Sequence, residues 1–375
     1  MEKKRNFFVR LLGCTPWPCR ILLAVAIISV PIFAAFYLST GFSDFFNRYL
    51  GAFFRGMGAV LTSWFPFSLA ETMLMLIPAV LVFLVILIFR TYKKPLHDLV
   101  RLLMILLSVL SFLFSSFVLG FAAGYHGSGL PEKLGIEKKP VSAQELYDTA
   151  LWIRRELEKL TGGLVIENDF SVLPVSFSEM NGQLLEDCAK ISEKYTFFPK
   201  TYSRTKQIVL SVPMTYTHIS GVYTYFTGEA NVNMNFPDYC LPYTAAHEMS
   251  HQRGIAPEDE ANFMAFLICA ESGNDYIRYS GYISMYEYLI SALYKADKAM
   301  YKELMSGTPR EVRSEMSAYN AFFKKYEKNV AATVSEKVNN TYLKSQGQTS
   351  GTKSYGLVVD LCVAYYNAYI RENSV

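Results

Sequence analysis

Three long stretches of the chain show almost no alternation between apolar and polar positions: Ile21 to about Leu38, Leu69 to Phe89 with the single acid Glu71 at its mouth, and Leu102 to about Phe121. Each is close to the ~20 mostly apolar residues that a helix needs to cross the hydrocarbon core. A backbone in lipid must satisfy its own hydrogen bonds, so the pattern predicts a helix in each, even across Pro31 and Pro78. Helical periodicity begins after Gly127-Ser128-Gly129-Leu130-Pro131. Ser142 followed by Glu145 is a capping-box pair that opens an amphipathic helix through about Leu160, closed by Gly162-Gly163. A second helix is expected from about Gln183 to Lys194. β-Branched and aromatic residues with little helical period predict strands within 207–212 and 219–232, and from Tyr239 onward almost every segment reads as helix. The expected architecture is α+β and mostly helical, with a membrane anchor over residues 1–124 and an outer domain with a small sheet over 125–375.

Composition supports that division. The chain has 375 residues, of which 51% are hydrophobic and only 18% charged, and its mean hydropathy is +0.17. That excludes a disordered chain and argues against a wholly soluble one. No Asp, Glu, Lys or Arg occurs from residue 102 to 131. Residues 1–124 carry 11 basic and 4 acidic residues, which leaves 25 basic and 29 acidic for the rest. A nucleic-acid partner is not expected, because the folded part lacks a basic excess. Basic residues stay on the cytoplasmic side. Lys3, Lys4, Arg5, Arg10 and Arg20 precede the first span, and Arg90, Lys93, Lys94 and Arg101 separate the second from the third. The loop between the first two spans offers only Arg48 and Arg55 beside Asp44. The expected protein is therefore multi-pass in the cytoplasmic membrane, with its N-terminus inside and everything after Gly124 outside. A cleavable signal peptide fits poorly, since Ser39-Thr40-Gly41 is a weak cleavage site and two more spans follow. Cys188, Cys240, Cys269 and Cys362 form no C-x-x-C pair; disulfides and buried thiols are both open.

The chemistry centres on His247-Glu248-Met249-Ser250-His251, an H-E-x-x-H element in a helix-compatible run. Positions i and i+4 share a helix face, so both imidazoles can reach one ion. Glu248 then stands beside the ion rather than on it, where a carboxylate can act as general base on a metal-activated water. A catalytic zinc site also needs a third protein ligand and an open position. Gly254 can end the helix in a left-handed conformation, and Pro257 can start another that opens with Glu258, Asp259 and Glu260. A carboxylate from this second helix is the expected third ligand. Glu258 and Glu260 lie about 200° apart on a helix, so only one can face the ion, and Glu271 is a more distant alternative.

Glu258-Asp259-Glu260-Ala261-Asn262 resembles the E-x-x-A-D element of the gluzincin metallopeptidases, with Asn in place of Asp. The resemblance implies that Glu258 is the third zinc ligand and that Asn262 supports the ligands. The chain departs from that pattern in separating His251 from Glu258 by only seven positions. Pro257 occupies the place of the third ligand in the metzincin spacing, which therefore fails. With its three N-terminal spans, the chain most closely resembles an uncharacterised family of bacterial membrane proteins grouped with gluzincin-like zinc peptidases. The implied activity is a zinc-dependent hydrolysis of peptide bonds, acting on peptide or protein substrates near the membrane surface.

Phe226 to Asn233 precedes the metal helix and stands where an edge strand would bind extended substrate; an ordinary hairpin strand fits as well. His218 and Tyr216 are within plausible reach of the site but read more simply as structural. Tyr276, Tyr279, Tyr282, Tyr286 and Tyr288 recur along one helical segment as core or as groove lining. Two rival functions remain: a zinc-stabilised outer sensor without catalysis, and a protease cutting within lipid. The second is disfavoured because His247 follows the last span by roughly 120 residues.

Overall fold

The structure is a computed structural model and describes residues 13–91, 96–327, 329–351 and 356–371. The basic residues Lys3, Lys4, Arg5, Arg10, Lys93 and Lys94, which bear on orientation, lie outside the described residues. Three helices are long and apolar enough to cross a membrane: Trp17–Leu38, Leu69–Arg90 and His97–Gly120. They belong to α1 (Trp17–Leu38), α4 (Leu69–Thr91) and α5 (Leu96–Gly120).

The segment between the first two is not an open loop. It forms α2 (Thr40–Phe46), a π-turn over Asn47–Gly51, and α3 (Ala52–Ser63). Arg55, expected as an exposed loop charge, is buried. Its guanidinium donates to Asn47 Oδ1 at 2.8 Å, to Gly120 O at 2.8 Å and to Asn47 O at 2.9 Å. A charge with that many acceptors can be buried at tolerable cost, and the pattern of the sequence gives no hint of the partners.

The part of the chain after the apolar helices is built on α6 (Ala143–Thr161), α7 (Phe177–Lys194), α8 (Cys240–Gln252), α9 (Glu258–Ala270) and α10 (Asp275–Ala296). The Ser142–Glu145 capping box forms as expected. A second one, Ser176 with Glu179, starts α7 six residues ahead of the expected Gln183. The helices pack around one large core that includes Tyr276, Tyr279, Tyr282 and Tyr286, which settles that tyrosine series as mainly core. α11 (Lys298–Ser306), α12 (Arg310–Lys324), α13 (Val330–Ser345) and α14 (Val358–Tyr365) complete the chain.

Two small sheets accompany the helices. β1 (Ile166–Glu167) and β2 (Phe170–Ser171) make a short antiparallel pair. The other sheet has the order β3-β5-β4, from β3 (Lys206–Ile208), β4 (Gly221–Thr224) and β5 (Glu229–Asn233). The expected strand over 207–212 pairs only as far as Ile208, because a one-turn helix over Ser211–Thr215 follows. Of the two readings of Phe226 to Asn233, the hairpin strand holds: β5 is central, parallel to β3 and antiparallel to β4, so the edges of this sheet are β3 and β4. Gly228, at φ +73°, turns the β4–β5 hairpin so close to α3 that a Cβ there would stand 2.6 Å from Ala59 N. All six cysteines are free.

Candidate metal centre

α8 packs against β4 and β5 on one side and against α9 on another, and the two helices bring three donor atoms together. His247 and His251, one turn apart on α8, have their ring centroids 4.6 Å apart. Glu258 Oε2, from the first turn of α9, lies 3.2 Å from His247 Nε2 and 3.3 Å from His251 Nε2. The three ligand atoms all lie within 4.8 Å of one another, so this group could hold a metal ion. Four tetrahedral ligands at about 2.0–2.1 Å stand roughly 3.3 Å apart, close to the two His–Glu separations. The tight turn between the helices produces this convergence. Gly254 takes φ +93°, and the Ile255 amide donates to Ser250 O at 3.1 Å. Ile255 O then contacts His251 Nδ1 at 2.7 Å. With Nδ1 as donor, that contact fixes the ring and leaves Nε2 as the coordinating nitrogen.

The rival carboxylates point elsewhere. Glu260 Oε1 accepts the Leu130 N–H at 2.8 Å, where the linker from the membrane enters the domain. Glu271 pairs with Lys194 at 2.5 Å. Asn262 is buried one turn beyond Glu258, and its carbonyl accepts the Tyr243 hydroxyl at 3.0 Å. Among the described residues, His247 Nδ1 and Glu248 Oε2 have no hydrogen-bond partner.

Glu248 is buried beside the cluster and contributes no atom to it. Burial pushes its pKa up to about 7, against the pull of the two histidines. Burial alone would lower the His251 pKa, but the Glu258 charge outweighs it and raises the value to about 9. The Glu258 carboxyl is raised by burial and then held well below the usual range by His251 and His247. Glu248 meets the edge strand directly. A Cβ on Gly221 would fall 2.5 Å from Glu248 Oε1, so only glycine leaves the carboxylate its place. Nothing in the local sequence marks Gly221, since its need comes from a neighbour 27 positions away.

These groups lie in a cleft of about 1370 Å³. One wall is the segment from Thr217 through β4, another is α13, and Phe121 and Tyr125 close it beside the end of α5. The Phe121 ring stands 5.9 Å from that of His251. His218 and Tyr216 are held in place as structural residues: His218 Nε2 contacts Tyr326 O at 2.7 Å, and Tyr216 packs edge-on against Tyr326. Tyr288 reaches the cleft, unlike the other tyrosines of its series. The membrane half also supports the turn after the metal helix, because Asn47 Nδ2 donates to Gly254 O at 2.9 Å and Arg55 reaches Arg253 O at 3.4 Å.

One family model matches the chain, over residues 46–363, and is described as a protein of unknown function, DUF3810. No curated protein and no solved structure matches it.

Proposed function

We propose that this chain, which belongs to the DUF3810 family of proteins of unknown function, is a membrane-anchored zinc peptidase whose active domain lies outside the cytoplasmic membrane. One observation carries the reading. Three ligand atoms converge, with both His–Glu separations near tetrahedral spacing, while a buried carboxylate, Glu248, stands beside them without joining the group. A purely structural site has no use for such a group.

His247, His251 and Glu258 would hold the zinc, and Asn262 would support Glu258 from the next turn of α9. Bound there, zinc supplies Lewis-acid polarisation of a peptide carbonyl and lowers the pKa of water. Glu248 takes the proton of the attacking water and passes it to the departing amine. Burial, which favours the neutral carboxyl, helps Glu248 hold the proton between those two halves. β4, at the sheet edge and along the cleft, offers its backbone to an extended peptide. Substrates at the membrane surface are favoured, because tethering raises their local concentration.

The test is Glu248→Gln in the full chain, assayed on a peptide library alongside zinc content. Loss of cleavage, by about 10²–10⁴-fold, with zinc retained is the expected result. A chain that keeps its cellular function with this substitution would instead be the zinc-stabilised sensor.

A further inference from the structure

Away from the cleft, the exposed apolar residues of the outer domain include a compact group between β3 and the one-turn helix. Val209, Leu210 and Val212 are exposed, Val209 by 74%. Ser211 between them turns inward, donating to Ile208 O and accepting the Met234 N–H. A fixed polar residue therefore holds its apolar neighbours outward.

The membrane half sets the level of this segment. Glu71, in the first turn of α4, accepts the Val209 N–H at 3.0 Å and the Leu210 N–H at 2.6 Å. Lys206, just before it, donates to Thr62 O at 2.8 Å and Phe67 O at 2.9 Å. Trp64, Phe65 and Phe67 stand exposed at the approach to the same helix, the residue types that gather at a membrane interface. None of the apolar window of α4 is buried by protein, so lipid is what surrounds it if it crosses a membrane.

Lipid tolerates irregular backbone only where its polar groups are already paired. The two amides that would otherwise be stranded are paired with Glu71. We infer that the segment Val209–Val212, the turn after β3 and the start of the one-turn helix, enters the interfacial layer of the bilayer crossed by α4, as an additional attachment that does not span it. The occupant of this surface is lipid, because the patch is continuous with the mouth of the helix that lipid surrounds.

The test uses the full chain in lipid nanodiscs and tryptophan fluorescence. Leu210→Trp, Val212→Trp and a control, Val165→Trp at the exposed approach to β1, are each compared with the unsubstituted chain. Lipids brominated near the headgroup end of the acyl chains serve as quenchers. The emission added by Leu210→Trp and by Val212→Trp should lose most of its intensity, and that added by Val165→Trp should keep it. Two substitutions guard against one that perturbs the segment. Unquenched emission from both sites overturns the proposal, and a blue-shifted but unquenched signal overturns it in favour of a protein partner. Equal quenching at all three sites overturns it as well.

Discussion

α4 and α9 both carry long apolar runs with little amphipathic pattern, yet they are buried in opposite ways. In α9 the nine residues from Ala261 to Cys269 are all buried by protein, whereas the apolar window of α4 has none buried. A helix apolar all round belongs either in a core or in a membrane, and length separates the two. α9 has 13 residues and α4 has 23. The difference matters for chemistry. A helix packed on every side holds Glu258 and Asn262 to one position, which a metal site needs. α5 combines both situations: its length suits a membrane, but Phe117 and Val118 in its last turn and Phe121 just beyond it are buried in a cluster with Ala256 from the turn between α8 and α9. The membrane half is therefore part of the support of the candidate metal centre as well as its anchor.

The sharpest challenge to this contrast falls on α9 itself. Glu258→Ala should weaken zinc binding by more than about a hundredfold, read by competition with a fluorescent chelator. Next is Arg55→Met, which strands carbonyls of Asn47, Gly120 and Arg253. It should lower stability by about 3 kcal/mol in a thermal-shift measurement. It should also weaken zinc binding by about tenfold, since the turn after His251 loses a support. Unchanged affinity would mean that the outer domain is indifferent to its anchor. Gly221→Ala should cut turnover by about tenfold with zinc binding intact, because the added carbon displaces Glu248. The smallest effect is expected for Glu260→Gln, less than about twofold on zinc affinity, since that side chain serves the Leu130 amide.

The register of His247, Glu248 and His251 was legible because helix geometry alone puts positions i and i+4 on one face. The three long apolar helices were legible for a similar reason, a local property with few competing explanations. Choosing Glu258 over Glu260 needed the gluzincin likeness, and the coordinates bring Glu258 to the histidines while Glu260 turns toward the linker. What stayed hidden depends on long-range contacts. Arg55 read only as a loop charge because its partners lie as far off as Gly120 and Arg253. Strand order is likewise absent from local pattern, so edge strand and hairpin strand both stayed open for Phe226 to Asn233 until the pairing of β5 between β3 and β4 decided it. The Ser176–Glu179 box, by contrast, carries a local signature that places the true start of α7. Separation along the chain was a poor guide to distance from the last long apolar helix, for Phe121 just past its end packs against His251 of α8.

Zinc content of the purified full-length chain, with His247→Ala beside it, bears most directly on the central claim. One tightly held zinc per wild-type chain and essentially none in the variant is the expected result. The same zinc content in both would contradict it, because then the convergence of His247, His251 and Glu258 is not where the metal resides.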